Sequence, residues 1–470
     1  MVTRDNRVTT TNVDAGSFRD RSGHVFLKNG RILRSVSPYA AEDFQFVRGS
    51  GLLDDLVRSK RLLPFQLVDP DILRDSGERP VHVLEHPRLD HVSYPYEWPF
   101  PVLKAAALLH LDIHLTALER GVNLSDASAY NIQFKGTEPV FIDHLSFRRY
   151  QEGEYWAAHR QFCESFLNPL LLRSECGVAP NDWYRGRLNG ISVTDMSRLL
   201  PLKSKFSWNV LSHVVLQARF QKSGDQRSAE RSLARRKLPL SALVRILEAM
   251  RKWIEKLQPT DTGNTVWQTY SQNSGYADDD FSTKAAVVTD FVKTMRPELV
   301  WDMGCNTGEF SKLALEAGAR AVIGYDSDQG ALENAYTRAR VEGLNLLPLY
   351  LDVTNPPPDQ GWDETERKGI FSRARADGVL ALALVHHIAI THNVPLERVI
   401  DWLVKLAPAG VIEFVPKQDD MVKKLLSLRD DIFHDYSPEL FIHHLRARAR
   451  IARKETLPRS GRILVIYQRG

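Results

Sequence analysis

ELVWDMGCNTGEF, residues 298–310, is an apolar run that ends in an acid and a pair of glycines and passes at once into a helical pattern. It reads as a buried strand, a tight turn and a helix start. Working outward, the same pairing recurs. RAVIGYD (320–326) precedes the helical QGALENAYTRARVEG (329–343), and LLPLYLDV (346–353) leads into a proline-rich loop. GVLALALV (378–385) precedes PLERVIDWLVKLAPA (395–409), and GVIEFV (410–415) precedes DDMVKKLLSLRD (419–430). Near-continuous apolar strands separated by helices imply a parallel sheet covered on both faces. Two last strands, around RKETLP (453–458) and RILVIYQ (462–468), are joined by PRSGR. That link is short enough only for an antiparallel hairpin. The expectation is α/β: a doubly wound, mostly parallel, Rossmann-like sheet over 261–470.

The remaining chain is too long to be an appendage. At 470 residues, two or three domains are expected. Residues 1–23 read as a polar tail and 24–215 as an α+β domain. Within the latter, β-type runs (HVFL, GRILRSV, FQLVDP, PVHVLEH) precede a helical stretch near Pro101–Arg120. Residues 216–260 read as a basic helical linker. Lys and Arg total 62 against 58 Asp and Glu, a net charge of +4, which argues against a dedicated nucleic-acid coat. Cys163, Cys176 and Cys305 are too scattered for a disulfide framework or a zinc spacing, so no metal site is expected. The polar opening has no apolar core of signal-peptide length, and no long uncharged apolar window follows. A cytoplasmic protein without a membrane partner is the expectation.

Ligands of open α/β sheets bind beyond the carboxyl ends of the strands, so the turn after Met303 is in the right place. A dinucleotide fits it poorly: Gly304 and Gly308 are four apart, and Asp302 repels a pyrophosphate. An acidic turn suits a cationic ligand instead. The segment resembles the acidic-x-Gly-x-Gly-x-Gly motif of class I S-adenosylmethionine-dependent methyltransferases, with Asn306 in place of the middle glycine. Asparagine also tolerates tight turns. The resemblance implies that Asp302, Gly304, Asn306 and Gly308 cradle S-adenosylmethionine. It further implies that Asp326 holds the ribose hydroxyls and that Asp352, with the Val353 amide, faces the adenine. Helix capping is the alternative role for these acids. Trp267, Tyr270 and Tyr276 could cover the cofactor or pack a flap. In detail the region resembles a bacterial methyltransferase family that includes nodulation proteins.

Methyl transfer needs alignment more than covalent help. An oxygen or nitrogen nucleophile of a small metabolite or saccharide is the expected acceptor, with RNA or protein as the alternative suggested by the basic stretch at 227–256. His386 and His387 are read at the end of the fourth strand, where alternation lets only one reach substrate, and His387 is favoured as base. Glu413, a charge inside an apolar strand, is the second candidate, followed by Lys417 and Asp419.

GVNLSDASAYNIQFKGTEPVFIDHLSF (121–147) resembles the catalytic loop and metal-binding strand pair of kinase-like folds, with Asp126 and Asn131 at D-x-x-x-x-N spacing and Asp143 in FID. In that family these residues orient the acceptor hydroxyl and hold magnesium. The glycine-rich loop is missing, His144 follows Asp143, and Lys28 is the available stand-in for the strand lysine. These departures lead to the expectation of a non-catalytic kinase-like domain, with a bifunctional kinase–methyltransferase as the alternative.

Overall fold

The computed structural model describes residues 11–222, 237–260, 278–373, 375–427 and 430–470. Five strands near the N-terminus are β1 (Asn12–Val13), β2 (Val25–Lys28), β3 (Arg31–Val36), β4 (Gln66–Val68) and β5 (His82–His86). They form an antiparallel sheet in the order β1-β2-β3-β5-β4. The sequence-based reading of short β runs matches β2 to β5. Between β3 and β4, however, lie two helices, Ala41–Gly49 and Leu52–Arg58. Their buried residues, Phe44 with Val47 and Leu52 with Leu56, are spaced for a helix. Gly51, at φ +75°, turns the chain between them.

An apolar helix, Phe100–Leu118, follows and leads to β6 (Val122–Leu124), β7 (Ile132–Lys135), β8 (Glu138–Phe141) and β9 (Phe147–Arg149). β6 pairs with β9, and β7 with β8, both antiparallel. By length and composition this is the one helix among the described residues able to cross a membrane. Most of its leucines and alanines and both histidines are buried in the protein core, as befits a central core helix. The second half of the expected linker, helix Leu240–Lys256, docks on it. Leu243, Leu247, Met250 and Ile254 face inward at helical spacing, and Arg251 pairs with Asp112 at 2.5 Å.

The C-terminal sheet contains β10 (Leu299–Met303), β11 (Ala321–Asp326), β12 (Leu346–Tyr350), β13 (Gly378–Ala381), β14 (Ala409–Phe414), β15 (Arg450–Thr456) and β16 (Ile463–Gln468). Its order is β12-β11-β10-β13-β14-β16-β15. The first five strands run parallel, while β16 joins β14 antiparallel and is the hairpin partner of β15. This is the α/β Rossmann-like sheet expected from the sequence. The order reverses beside β10, which opens a crevice beyond the ends of β10 and β13.

The two halves share one hydrophobic core. His91 packs edge-on against Trp301 and Tyr325, with its Nε2 3.3 Å from the Tyr325 hydroxyl. Arg373 forms a buried ion pair with Glu97 and lies over the Tyr94 ring, and Arg367 lies over Tyr130. Asn181 accepts a hydrogen bond from Gln329 at 3.0 Å. Part of the C-terminal sheet is thus covered by the N-terminal half.

Candidate active site

The turn after β10 carries three left-handed residues in alternation, Gly304 at φ +80°, Asn306 at +50° and Gly308 at +76°. Asparagine adopts this conformation more readily than other side-chain-bearing residues, which is why it can replace a glycine here. The Gly304 and Cys305 amides donate to the Tyr325 carbonyl at 2.8 and 2.9 Å, tying the turn to β11. A Cβ added at Gly304 would meet nothing closer than Leu384 at 3.6 Å, so the backbone presents a bare face toward the crevice. Helix Glu309–Glu316 starts directly after the turn.

Asp302 is buried and accepts from Ser311 Oγ at 2.6 Å. Burial raises its carboxyl to about 7, against the opposing Ser311 bond, and nearby Asp326 pushes it further the same way. Asp326 closes β11. One oxygen accepts the Asn306 amide at 2.8 Å and the other the Asp328 amide at 2.9 Å. Its carboxyl is also raised, again chiefly by burial. Asn306 Oδ1 is buried without a hydrogen-bond partner among the described residues. Asp352 lies just beyond β12 and accepts the Thr354 amide and hydroxyl at 2.9 and 2.6 Å, while Val353 packs half-buried on the core. The structure therefore brings the three acids to three successive strand ends. Trp267, Tyr270 and Tyr276 lie outside the described residues.

His386 and His387 are not on the fourth strand. β13 stops at Ala381, and both histidines sit in the helical turn that follows, with His387 opening a π-helix through Thr391. The alternating-face expectation is thereby corrected: the two rings pack against each other, tilted by 40° with centroids 4.0 Å apart. The strand ends early because Ala383 takes φ +50° and donates its amide to Glu413 at 2.9 Å. His386 is buried, and burial pushes its pKa down. His387 is partly exposed and lowered to about 4 by burial, then by His392 and Arg462.

Glu413 is completely buried in β14. Lys284 approaches it at 2.7 Å and Arg462 at 3.4 Å. Arg462 also pairs with Asp419 at 2.7 Å, which caps the helix Asp420–Leu426. Lys417 instead pairs with Asp431 at 2.8 Å.

A second region lies where the two halves meet, lined from the C-terminal half by Arg320, Arg367 and Asp377 among others. A cleft of about 1680 Å³ is lined by Asp126, Asn131 and Asp143 among others. Asp126 accepts from Asn131 at 3.1 Å and from Gln161 at 2.5 Å, and its carboxyl is raised by burial and then by Asp143. The side chain of Lys28 turns elsewhere, to the Ile72 carbonyl at 2.7 Å and Asp75 at 3.1 Å. The cation that reaches Asp143 is Arg34 on β3, 2.9 Å from Asp143 and 2.5 Å from Asp20. Sequence reading missed Arg34. A charge recurring inside the apolar run GRILRSV was the available signal. His144 is buried and its Nε2 bonds the Leu63 carbonyl at 2.8 Å.

No protein-family model matches the chain. Nodulation protein NoeA of Rhizobium meliloti (strain 1021) is 44% identical over 464 residues, covering 97% of this chain and 96% of that protein. The 23S rRNA (uracil(1939)-C(5))-methyltransferase RlmD of Marinomonas sp. (strain MWYL1) is 28% identical over 125 residues, 26% of this chain and 28% of its own. The N-methyltransferase NodS from Bradyrhizobium japonicum WM9, solved in complex with S-adenosyl-L-homocysteine, aligns with 43% of this chain and 97% of its own at 13% identity. Its TM-score is 0.31, a superposition too loose to bear on mechanism.

Proposed function

This chain belongs to the family of nodulation protein NoeA, and we propose that it moves a methyl group from S-adenosylmethionine to an oxygen or nitrogen nucleophile of a small metabolite or saccharide. The observation that carries this reading is the pair Asp302 and Asp326 beneath the bare turn. Burial raises both carboxyls, and no cation pairs with either among the described residues. A ligand bearing an ammonium and a sulfonium supplies the missing positive charge. The orphaned Asn306 Oδ1 and the open face of Gly304 fit such a ligand as well. Asp302 and the turn amides would hold its amino-acid end, Asp326 its ribose hydroxyls, and Asp352 with Val353 its adenine. When bound, the group supplies an electrophilic methyl.

The chain's own residues then position and deprotonate. His387, lowered to about 4 by burial, is neutral near pH 7 and is the candidate to take a proton from the acceptor. Glu413 acts through the loop: by holding the Ala383 amide it places Leu384 against the turn. Net charge near neutral favours a small acceptor over RNA. Calorimetry with S-adenosylhomocysteine tests the reading. Saturable binding that is lost in Asp326→Ala supports it, and no binding at millimolar concentration sinks it. Labelled-methyl transfer into fractionated small molecules, RNA and protein identifies the acceptor class.

For the N-terminal half, the reading is a kinase-like domain that helps place the acceptor, in a cytoplasmic protein. Its support is the element order (β1 to β3, two helices, β4 and β5, the long helix, then β6 to β9) and the cleft that gathers Asp126, Asn131 and Asp143. That same cleft favours phosphate transfer as the second reading. Against it stands Arg34, whose guanidinium already neutralises Asp143 where a metal would be needed.

A further inference from the structure

Phe206, Leu202 and Trp208 leave 87%, 76% and 74% of their surface open to solvent. Leu202 and Trp208 open two short helical turns, Leu202–Lys205 and Trp208–Val210, and Phe206 lies between them, directly after helix Val193–Leu199, whose last residue is also exposed. Scattered exposed apolar side chains need no explanation, but large ones gathered on one turn do. The turn is firmly seated. Leu200, Ser204 and Val210 are buried beneath it, and Ser204 Oγ donates to Glu175 at 2.6 Å. The Leu211 amide bonds the Ser207 carbonyl at 2.8 Å. The rings are therefore held outward by the fold.

Charge identifies what they meet. From Met196 to Lys222 the sequence carries Arg198, Lys203, Lys205, Arg219 and Lys222 and no acidic residue. Lys203 lies between Leu202 and Phe206, and Lys205 next to Phe206, so cations and apolar groups alternate on the same turn. Aromatic and leucine side chains at head-group depth with lysines beside them form the pattern that binds an anionic lipid interface.

We propose that the turn Leu199–Trp208 docks this protein peripherally on an anionic lipid surface. The long apolar helix Phe100–Leu118, the one helix among the described residues long and apolar enough to span a membrane, is a core element and takes no part in this docking. The sequence-based expectation of no membrane partner considered spans and leaders, and this surface is neither. The inference is independent of methyl transfer.

Flotation of the full chain with vesicles tests it, using phosphatidylcholine alone and phosphatidylcholine mixed with phosphatidylglycerol. The protein should float with the anionic vesicles only and be released by high salt. Lys203→Gln with Lys205→Gln should lower partitioning about 30-fold, at ~1 kcal/mol per lysine. Leu202→Ser, Phe206→Ser and Trp208→Ser together should abolish it, with circular dichroism unchanged because these side chains are exposed. Equal binding to neutral vesicles, binding to neither, or full binding by the triple variant would overturn the proposal. So would a concentration-dependent dimer, lost in the triple variant, from a protein that vesicles do not retain.

Discussion

Glu413 Oε2, completely buried in β14, accepts the Ala383 amide at 2.9 Å. The bond stabilises a left-handed alanine, a conformation that is costly without a fixed partner. The same carboxylate neutralises Lys284 and Arg462, both nearly buried. Glu413→Gln keeps an acceptor for Ala383 but removes the buried negative charge that Lys284 and Arg462 face, Arg462 keeping its pair with Asp419. Breaking a buried pair typically costs ~3–5 kcal/mol, so the urea midpoint should fall markedly. A midpoint unchanged from wild type would show that the network contributes no net stability.

Several buried histidines give the fold a defined acid sensitivity. Burial holds His86, His114, His213 and His387 each at about 4. In the unfolded chain they titrate near the ordinary ~6.5. Between these values the unfolded state binds more protons, so stability rises with pH in that window. The contribution is fully present above about 6.5 and lost as pH falls toward 4, on the order of 1–3 kcal/mol per group. Urea titrations across this range should show falling stability on acidification, and a flat profile would contradict the burial of these rings.

The adjacent pair His386–His387, packed ring against ring, separates structure from chemistry. His387→Ala should lower methyl transfer by ~10²–10⁴-fold if it serves as the base, with S-adenosylhomocysteine affinity nearly unchanged. His386→Ala removes a ring that is 1% exposed and should cost stability more than rate. Steady-state kinetics beside urea unfolding distinguishes them. Equal rates in wild type and His387→Ala would mean that no base at this position is used.

Gly304 offers a test confined to the turn. Alanine at φ +80° costs ~1–2 kcal/mol of strain. Its Cβ has room inside the protein, 3.6 Å from Leu384, but covers the face the ligand would touch. Gly304→Ala should therefore lose S-adenosylhomocysteine affinity well beyond what its small change in unfolding midpoint accounts for. Wild-type affinity in calorimetry would place the ligand elsewhere.

Much of this site was legible in the sequence because its geometry is local. An apolar strand followed immediately by an acid and a turn fixes Asp302, Asp326 and Asp352 at adjacent strand ends, whatever the rest of the chain does. The hairpin β15–β16 followed from a five-residue link. What escaped depends on distant partners. The run GVLALALV looks like strand up to His386, yet Glu413, 30 residues on, captures the Ala383 amide and ends β13 early. Lys284, which compensates Glu413, is 129 residues away in sequence. The helices Ala41–Gly49 and Leu52–Arg58 were hidden by a Gly-Ser-Gly break that splits their apolar spacing into short pieces.

Asp143 and Arg34 decide the last prediction. A triphosphate needs cationic help, from magnesium on Asp143 and Asn131 and from a basic side chain above them. In this fold Arg34 bridges Asp143 and Asp20, and Asn131 donates its amide to Asp126. Binding magnesium at Asp143 would require the guanidinium to leave a largely buried position, and no lysine stands ready, because Lys28 is held by Asp75 and the Ile72 carbonyl. Thermal shift with magnesium and ATP should accordingly show little or no stabilisation. A ligand at 100 times its dissociation constant would add about 2.7 kcal/mol, which is readily seen. Arg34→Ala frees Asp143 without removing it, so a shift appearing only in that variant would show that the arginine is what blocks the metal. A clear shift in the wild type, abolished by Asp143→Ala, would instead make the cleft a nucleotide site and the chain a bifunctional kinase–methyltransferase.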